Sequence, residues 1–193
     1  MWTQQSEQDR SNIKNVMFHL LNHNDKAVKK AGAVGISAIA SIEFPLGLWD
    51  NLIPILTDNS NSPDLNVRLS SIMALGFICE DVDPASINPD SMNLILGAVL
   101  QNIIPSQLEL SQISMKAFQR AAPFTQRNFA IPQQKEFIMK ALLDAGASFD
   151  DEDILDALMQ SLVEIARQNY DYLSDYLNSI SSLCTKLINS EHE

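Results

Sequence analysis

A short motif recurs along the chain at a spacing that is typical of repetitive folds. Each copy begins with an aspartate, followed three positions later by a β-branched residue, and the copies begin at Asp25, Asp64 and Asp151. The first two copies lie 39 residues apart and carry a basic residue at the next position. Because apolar residues at helical spacing follow each aspartate, the motif predicts a capped helix. It therefore predicts a repeating unit of two helices, about 40 residues long.

Helical patterns account for the rest of the chain as well. Only 6 glycines occur in 193 residues, and no Asn-Gly or Asp-Gly hairpin signal is present. The sequence predicts an all-α fold, an α-α superhelix of the HEAT or armadillo type, because no helical hairpin can bury its apolar face alone. A compact helical bundle is the alternative, since it shares the periodicity without needing a fixed repeat.

The predicted organisation is a single HEAT-repeat solenoid segment over residues 1–193, forming part of a longer chain. Most prolines fall at or near helix ends, but Pro54 lies inside the third helix and is expected to bend or shorten it. The predicted hairpins, followed by a last helix, span approximately residues 7–42, 49–80, 92–121, 133–168 and 170–189.

The charge balance restricts the possible partners. The chain has 13 Lys and Arg against 24 Asp and Glu, a formal net charge of −11. Nucleic acid and anionic membranes require a basic surface, so neither is expected as a partner, whereas a basic protein or peptide fits better. The longest apolar run, residues 94–100, is far shorter than the ~20 residues that span a bilayer. The two cysteines form no metal or redox motif and suit a reducing compartment.

No arrangement of residues supports catalysis, a cofactor or a metal. His19 and His23 share one helix face, but the sequence places no third ligand. The acidic residues within 150–156 fail as a calcium loop because Phe149 and Leu155 stand where glycine and glutamate are needed. Helix capping explains that acidic cluster, and attraction of a basic partner is the alternative. We therefore predict that the chain is not an enzyme and has no cofactor or metal site.

Two further features concern the second helix. Gly32 and Gly35 stand among alanines, so this helix is expected to approach a neighbour closely. The predicted basic patch is small and lacks aromatic residues, which disfavours a nucleic-acid interface. Its members are Lys14, Lys26, Lys29 and Lys30.

The helix predicted over residues 92–104 is apolar on almost every side. Such a helix is either buried all round or exposes apolar surface to a ligand. With the first helix of the next hairpin, it is predicted to frame a shallow apolar groove, and ordinary packing between repeats is the alternative. The residues predicted to line the groove are Leu96, Gly97, Leu100, Gln134, Phe137 and Ile138.

Two long motifs carry a family resemblance. Residues 42–54 read IEFPLGLWDNLIP and resemble the I-E-x-P-x-x-x-W-x-x-L-I-P run of the importin beta (karyopherin beta) family. Residues 76–84 read GFICEDVDP and look like that family's G-Y-I-C-Q-D-I-D-P. Similar segments follow in the same order, so the likeness extends from Trp2 to about Ile188. They are residues 95–101, 137–139 and 170–176.

The resemblance implies part of a nuclear transport receptor. That family carries cargo through nuclear pores and releases it when the GTPase Ran binds in its GTP form. The chain would match an N-terminal portion, located in the cytoplasm, the nucleus and the nuclear pore. Importin alpha or cargo would bind mainly through regions absent here. A HEAT-repeat scaffold subunit of a phosphatase or another multiprotein assembly is the alternative.

The resemblance also implies two surfaces. The family's site for phenylalanine-glycine (FG) repeats of nucleoporins falls on the six groove residues, although the family commonly has a small polar residue at the position of Gly97 and an acid at that of Gln134. Ran would contact the inner helices, about residues 26–42 and 64–80, and bind weakly to this part alone.

Overall fold

The computed structural model describes residues 2–190, and within that range every regular element is a helix. The prediction of an all-α fold is confirmed. In this described part of the chain, ten α-helices follow one another: α1 (Glu7–Leu21), α2 (Lys26–Glu43), α3 (Leu52–Asn59), α4 (Leu65–Asp81), α5 (Pro89–Gln101), α6 (Leu108–Ala121), α7 (Gln126–Phe129), α8 (Pro132–Ser148), α9 (Glu152–Asn169) and α10 (Leu177–Ser190). Within residues 2–190, none of these helices combines the length and apolar character needed to span a bilayer.

The helices group into two compact units, which divide after Asn102. The predicted hairpin 92–121 straddles that boundary, and the single solenoid segment over residues 1–193 stays a prediction. In the first unit, α2 packs against α1 and α4, while α3 packs against α4 and α5. The apolar stripes of these helices meet in a core of fully buried side chains, the largest being Ile36, Leu52, Leu56, Ile72, Leu75, Ile78 and Ile95.

The second unit comprises α6 to α10. Helix α6 packs against α9, α8 packs against α7, α9 and α10, and the short α7 also contacts α9. Its fully buried side chains include Leu110, Met115, Phe118, Phe129 and Ile138. The sequence did not predict α7, which is a single turn between two longer helices.

The recurring aspartates cap helices, as the motif predicts. The carboxylate of Asp25 accepts hydrogen bonds from the backbone N–H groups of Ala27 and Val28, and these bonds lower the pKa of the carboxyl from its ordinary 3.8. Asp64 caps α4 and Asp151 caps α9 in the same way. Each cap satisfies backbone donors that the first helical turn leaves without a partner.

Helices α1 and α2 approach each other closely at two glycines. A Cβ on Gly32 would lie 2.5 Å from the backbone nitrogen of Leu21, and a Cβ on Gly35 would overlap the sulfur of Met17. At Gly32 two backbones meet, so glycine is required there, whereas the neighbour of Gly35 is a flexible side chain. The prediction that small residues permit close approach is confirmed.

Helix α3 begins later than the sequence predicts. It starts at Leu52 rather than near residue 49, so Pro54 occupies its third position. The N–H of that position has no partner within a helix, and a proline there costs no hydrogen bond. Pro54 therefore lies in the first turn of a short helix instead of bending a longer one.

Candidate functional site

Three of the predicted groove residues lie on α5, which the side chain of Asn88 caps through the backbone N–H of Ser91. Leu96 and Leu100 are buried, with 3% and 4% of their surface exposed. Gly97 is half-buried, and a Cβ placed on it would meet no atom within 4 Å. The apolar character of α5 thus serves mainly as packing, while Gly97 marks a place where another molecule can come close to the helix backbone.

The other three predicted residues lie on α8, in the second unit. Ile138 is buried, Gln134 is half-buried, and Phe137 exposes 41% of its surface. Pro132 opens the helix, so these three residues fall within its first two turns. Spacings of three and four residues place Gln134 on the same face as Phe137 and Ile138. The α8 set therefore presents an exposed aromatic ring beside an amide side chain.

The six residues thus form two sets in separate units. We call Leu96, Gly97 and Leu100 the α5 set, and Gln134, Phe137 and Ile138 the α8 set. Their joining into one groove stays a prediction.

A hydrogen bond and a cation–π contact lie beside the α8 set. The amide nitrogen Nδ2 of Asn128, on α7, donates a hydrogen bond to Oε1 of Gln134 at 2.9 Å. The ammonium of Lys135 lies 5.6 Å from the centre of the Tyr176 ring. Burial, helped by the negative charges of Glu136 and Asp175, raises the pKa of the Tyr176 hydroxyl. The start of α8 therefore carries a hydrogen-bonded amide at Gln134 and a lysine beside an aromatic ring.

The inner helices α2 and α4, which the resemblance assigns to Ran, pack against each other. Their basic motif residues are used inside the first unit. Lys29 is buried, and its ammonium donates to Oδ1 of Asn66 at 3.2 Å. The guanidinium of Arg68 donates twice to Oδ1 of Asn102, from Nε at 3.1 Å and from Nη2 at 2.6 Å. Lys29 and Arg68 occupy the same position in the repeated motif, so the sequence singles them out. It does not reveal that they hold neighbouring hairpins together.

The predicted basic patch does not form as described. Lys14 pairs with the buried carboxylate of Glu43 at the end of α2, and its ammonium lies 4.3 Å from the centre of the Trp49 ring. The indole N–H of Trp2 donates to the other oxygen of Glu43 at 3.0 Å. A helix the length of α2 separates this cluster from Lys26 by about 25 Å. Glu43 and Trp49, two residues of the I-E-x-P-x-x-x-W motif, thus belong to a structural cluster.

The acidic residues at the start of α9 serve largely as caps and as partners for α6. Asp151 caps α9 and accepts a hydrogen bond from the amide of Gln112 at 3.0 Å. Lys116 pairs with Asp153 at 2.7 Å. Across residues 2–190, no three His, Cys, Asp or Glu side chains are grouped so that they could hold a metal ion.

The comparison with known proteins extends over nearly the whole chain. No family model matches it. Importin subunit beta-1 of Arabidopsis thaliana is 26% identical over 194 residues, which cover 100% of this chain and 22% of that protein. The Saccharomyces cerevisiae importin subunit beta-1 is 28% identical over 180 residues, which cover 91% of this chain and 21% of that protein. The resemblance to importin beta is confirmed.

Solved structures of importin beta agree with that result. A crystal structure of importin beta has a TM-score of 0.82 and 25% identity, covering 92% of this chain and 21% of its own. A complex of Kap95 with Nup1 has a TM-score of 0.80 and 26% identity, covering 92% of this chain and 21% of its own. A third structure, of Kap95p bound to RanGDP, has a TM-score of 0.82 and 26% identity, covering 91% of this chain and 21% of its own. These matches confirm the predicted HEAT-type superhelix as the fold class.

The chain spans about a fifth of the length of the curated importin beta relatives it matches. Properties of the whole receptor therefore reach this chain only as proposals.

Proposed function

We propose that this chain acts as part of a nuclear transport receptor of the importin beta type, by binding proteins rather than by catalysis. The observation that carries the proposal is the match to importin beta over nearly the whole chain, in both sequence and fold. The receptor moves between cytoplasm and nucleus and carries protein cargo through the pore. Importin alpha or cargo binds mainly through regions outside this chain.

Within that role, the α5 set and the α8 set contact FG repeats of nucleoporins. Phe137 supports this assignment because its ring is a large apolar surface that water still reaches. Two aromatic rings in contact gain about 0.5–1.5 kcal/mol beyond the area they bury. On α5, the open space at Gly97 lets a peptide backbone approach the helix without a clash.

The affinity of one such site is low. Burying a phenylalanine side chain fully stabilises a complex by about 1.5–3 kcal/mol. Ordering a disordered peptide offsets part of this gain, so a single site exchanges its ligand rapidly. Weak individual contacts suit a receptor that must move through a pore lined by many repeats.

The inner helices α2 and α4 supply part of a Ran surface. The Kap95p structure bound to RanGDP supports this assignment by similarity. We expect Ran-GTP to bind this chain more weakly than it binds a complete importin beta, because only part of the inner surface is present. Titration of both proteins with Ran-GTP measures the difference.

Phe137→Ser tests the nucleoporin proposal directly. We expect it to weaken binding of a synthetic FG peptide about tenfold, because a ring contact worth about 1.4 kcal/mol is lost. The matched control is Val163→Ser on α9, which shortens a side chain of similar exposure, 47%, in the same unit. Equal affinities of the two folded variants would refute the α8 assignment.

A substitution at Gly97 tests the α5 set separately. Gly97→Glu adds a charged side chain where the backbone is open, and we expect it to reduce FG-peptide binding without unfolding the chain. Charged substitutions at Leu100 or Ile138 are poorer tests, since a charge at a buried position destabilises the fold itself. Unchanged binding by Gly97→Glu would remove α5 from the proposal.

A further inference from the structure

Two pairs of helices, α2 with α4 and α6 with α9, pack side by side in the same direction. Lys29 on α2 donates to Oδ1 of Asn66, and Ser37 further along α2 donates to Oδ2 of Asp81 near the end of α4. The hydrogen bonds between α6 and α9 also follow both helices in the same order. Each unit therefore contains one parallel pair of helices joined by polar side chains.

The side of α9 that corresponds to the α4-facing side of α2 is open. Lys29 and Ser37 lie four and twelve positions after the aspartate that caps α2. Leu155 and Val163 stand at the same positions on α9. Leu155 lines a groove between α9 and α10, and Val163 exposes 47% of its surface. This side of α9 thus repeats the position of a packed surface without being packed itself.

The groove between α9 and α10 combines apolar and acidic side chains. Its apolar lining is contributed by Leu155 and Met159 of α9 and by Leu187 and Ile188 of α10. Glu152 and Asp156 also line it, and both are exposed. Such a groove is complementary to a helix with an apolar side and a basic residue near its start.

Helix α2 of the same chain has a side with these properties. Four residues at helical spacing are exposed there: Lys30, Ala31, Val34 and Ala38. Val34 exposes 41% of its surface. Lys30 and Asp156 each lie five positions after the aspartate that caps their helix, so a parallel pairing with level helix starts brings the two opposite charges together.

We propose that α2 of one copy of this chain packs into the groove between α9 and α10 of a second copy, parallel to α9. The occupant is a second copy because α2 supplies both the apolar side and the cation that the groove requires. The contact joins two different surfaces, so every copy offers one of each and the copies add head to tail, into rings or filaments. This association is independent of nucleoporin binding.

Sedimentation velocity of the 193-residue chain at increasing concentration tests the association. We expect species larger than a dimer to form as the concentration rises. Val34→Glu places a charge in the apolar contact and should weaken association at least about tenfold. The matched control is Leu94→Glu on α5, where the side chain is 48% exposed, and it should leave association unchanged. Circular dichroism establishes that both variants are folded.

Two results of that experiment overturn the proposal. One is a chain that stays monomeric at every concentration up to about 1 mM. The other is a dimer that does not grow further, or an association that both folded variants weaken equally, since neither is explained by a head-to-tail contact through α2.

Exchange of charges tests which surfaces meet. Lys30→Glu and Asp156→Lys each place like charges at the contact, and each should weaken association about fivefold. A mixture of the two variants, or one chain that carries both substitutions, pairs opposite charges again and should restore association. Failure of both the mixture and the double variant to recover, with the single variants folded, overturns the pairing of α2 with the groove.

Discussion

The two units differ in the polar contacts that join their helices. In the first unit, the basic residue of the repeated motif points into the structure: Lys29 reaches Asn66 and Arg68 reaches Asn102. In the second unit the corresponding position is Leu155, and α6 instead extends polar side chains toward α9.

The contacts of the first unit include buried polar side chains, whereas the ion pair of the second unit is exposed to solvent. Asn102 is almost fully buried, and its Nδ2 donates to the carbonyl oxygens of Ser60 and Ala98. In the second unit, the side chains of Lys116 and Asp153 are 45% and 59% exposed. Buried polar groups cost much to leave unsatisfied, whereas exposed ion pairs contribute little. Two copies of one sequence motif can therefore share a capping aspartate and still differ in how much their polar contacts stabilise the fold.

The largest effect is expected at Asn102. Asn102→Ala removes the acceptor of Arg68 and the donor to two carbonyl oxygens, so we expect the free energy of unfolding to fall by about 2–3 kcal/mol. Urea unfolding followed by circular dichroism measures it. The control, Lys116→Ala, breaks the exposed pair of the second unit and should cost about 0–1 kcal/mol. Similar losses for the two variants would contradict the contrast between the units.

A loss of at most similar size is expected where α1 meets α2. Gly32→Ala places a methyl group against the backbone of Leu21, and we expect destabilisation of about 1–3 kcal/mol because the helices must move apart. Gly97→Ala is its control: it fills open space in another helix and should stabilise the chain by about 0.5–1 kcal/mol. Loss of stability in both variants would mean that helix packing at Gly32 is not the cause.

Local features of the fold could be predicted from the sequence. Helix-capping aspartates, prolines near helix ends and the small residues of α2 act over a few positions, so each leaves a local signal. The cluster of Lys14, Glu43 and Trp49 could not be predicted in the same way, because its members meet only after α1 and α2 pack. The I-E-x-P-x-x-x-W motif could be recognised in the sequence by its resemblance to the family. The contacts that Glu43 and Trp49 make could not be predicted from it.

Some features of the candidate site could likewise be predicted from the sequence, and others could not. Periodicity placed Phe137 and Ile138 on one helix, but it could not tell an exposed ring from a buried side chain. The hydrogen bond from Asn128 to Gln134 comes from α7, a single turn that the sequence did not predict. Short elements bury too few residues to produce a periodic signal, so their contributions appear only in the structure.

The central claim is that FG repeats bind through the α5 and α8 sets, and a residue-resolved titration tests it most directly. Amide and methyl NMR signals of the chain are followed while the FG peptide is added, with the alanine-substituted peptide as reference. The account predicts saturable shifts centred on Gly97 and Phe137 with the FG peptide alone. Shifts confined to other helices, or the same response to both peptides, would contradict it.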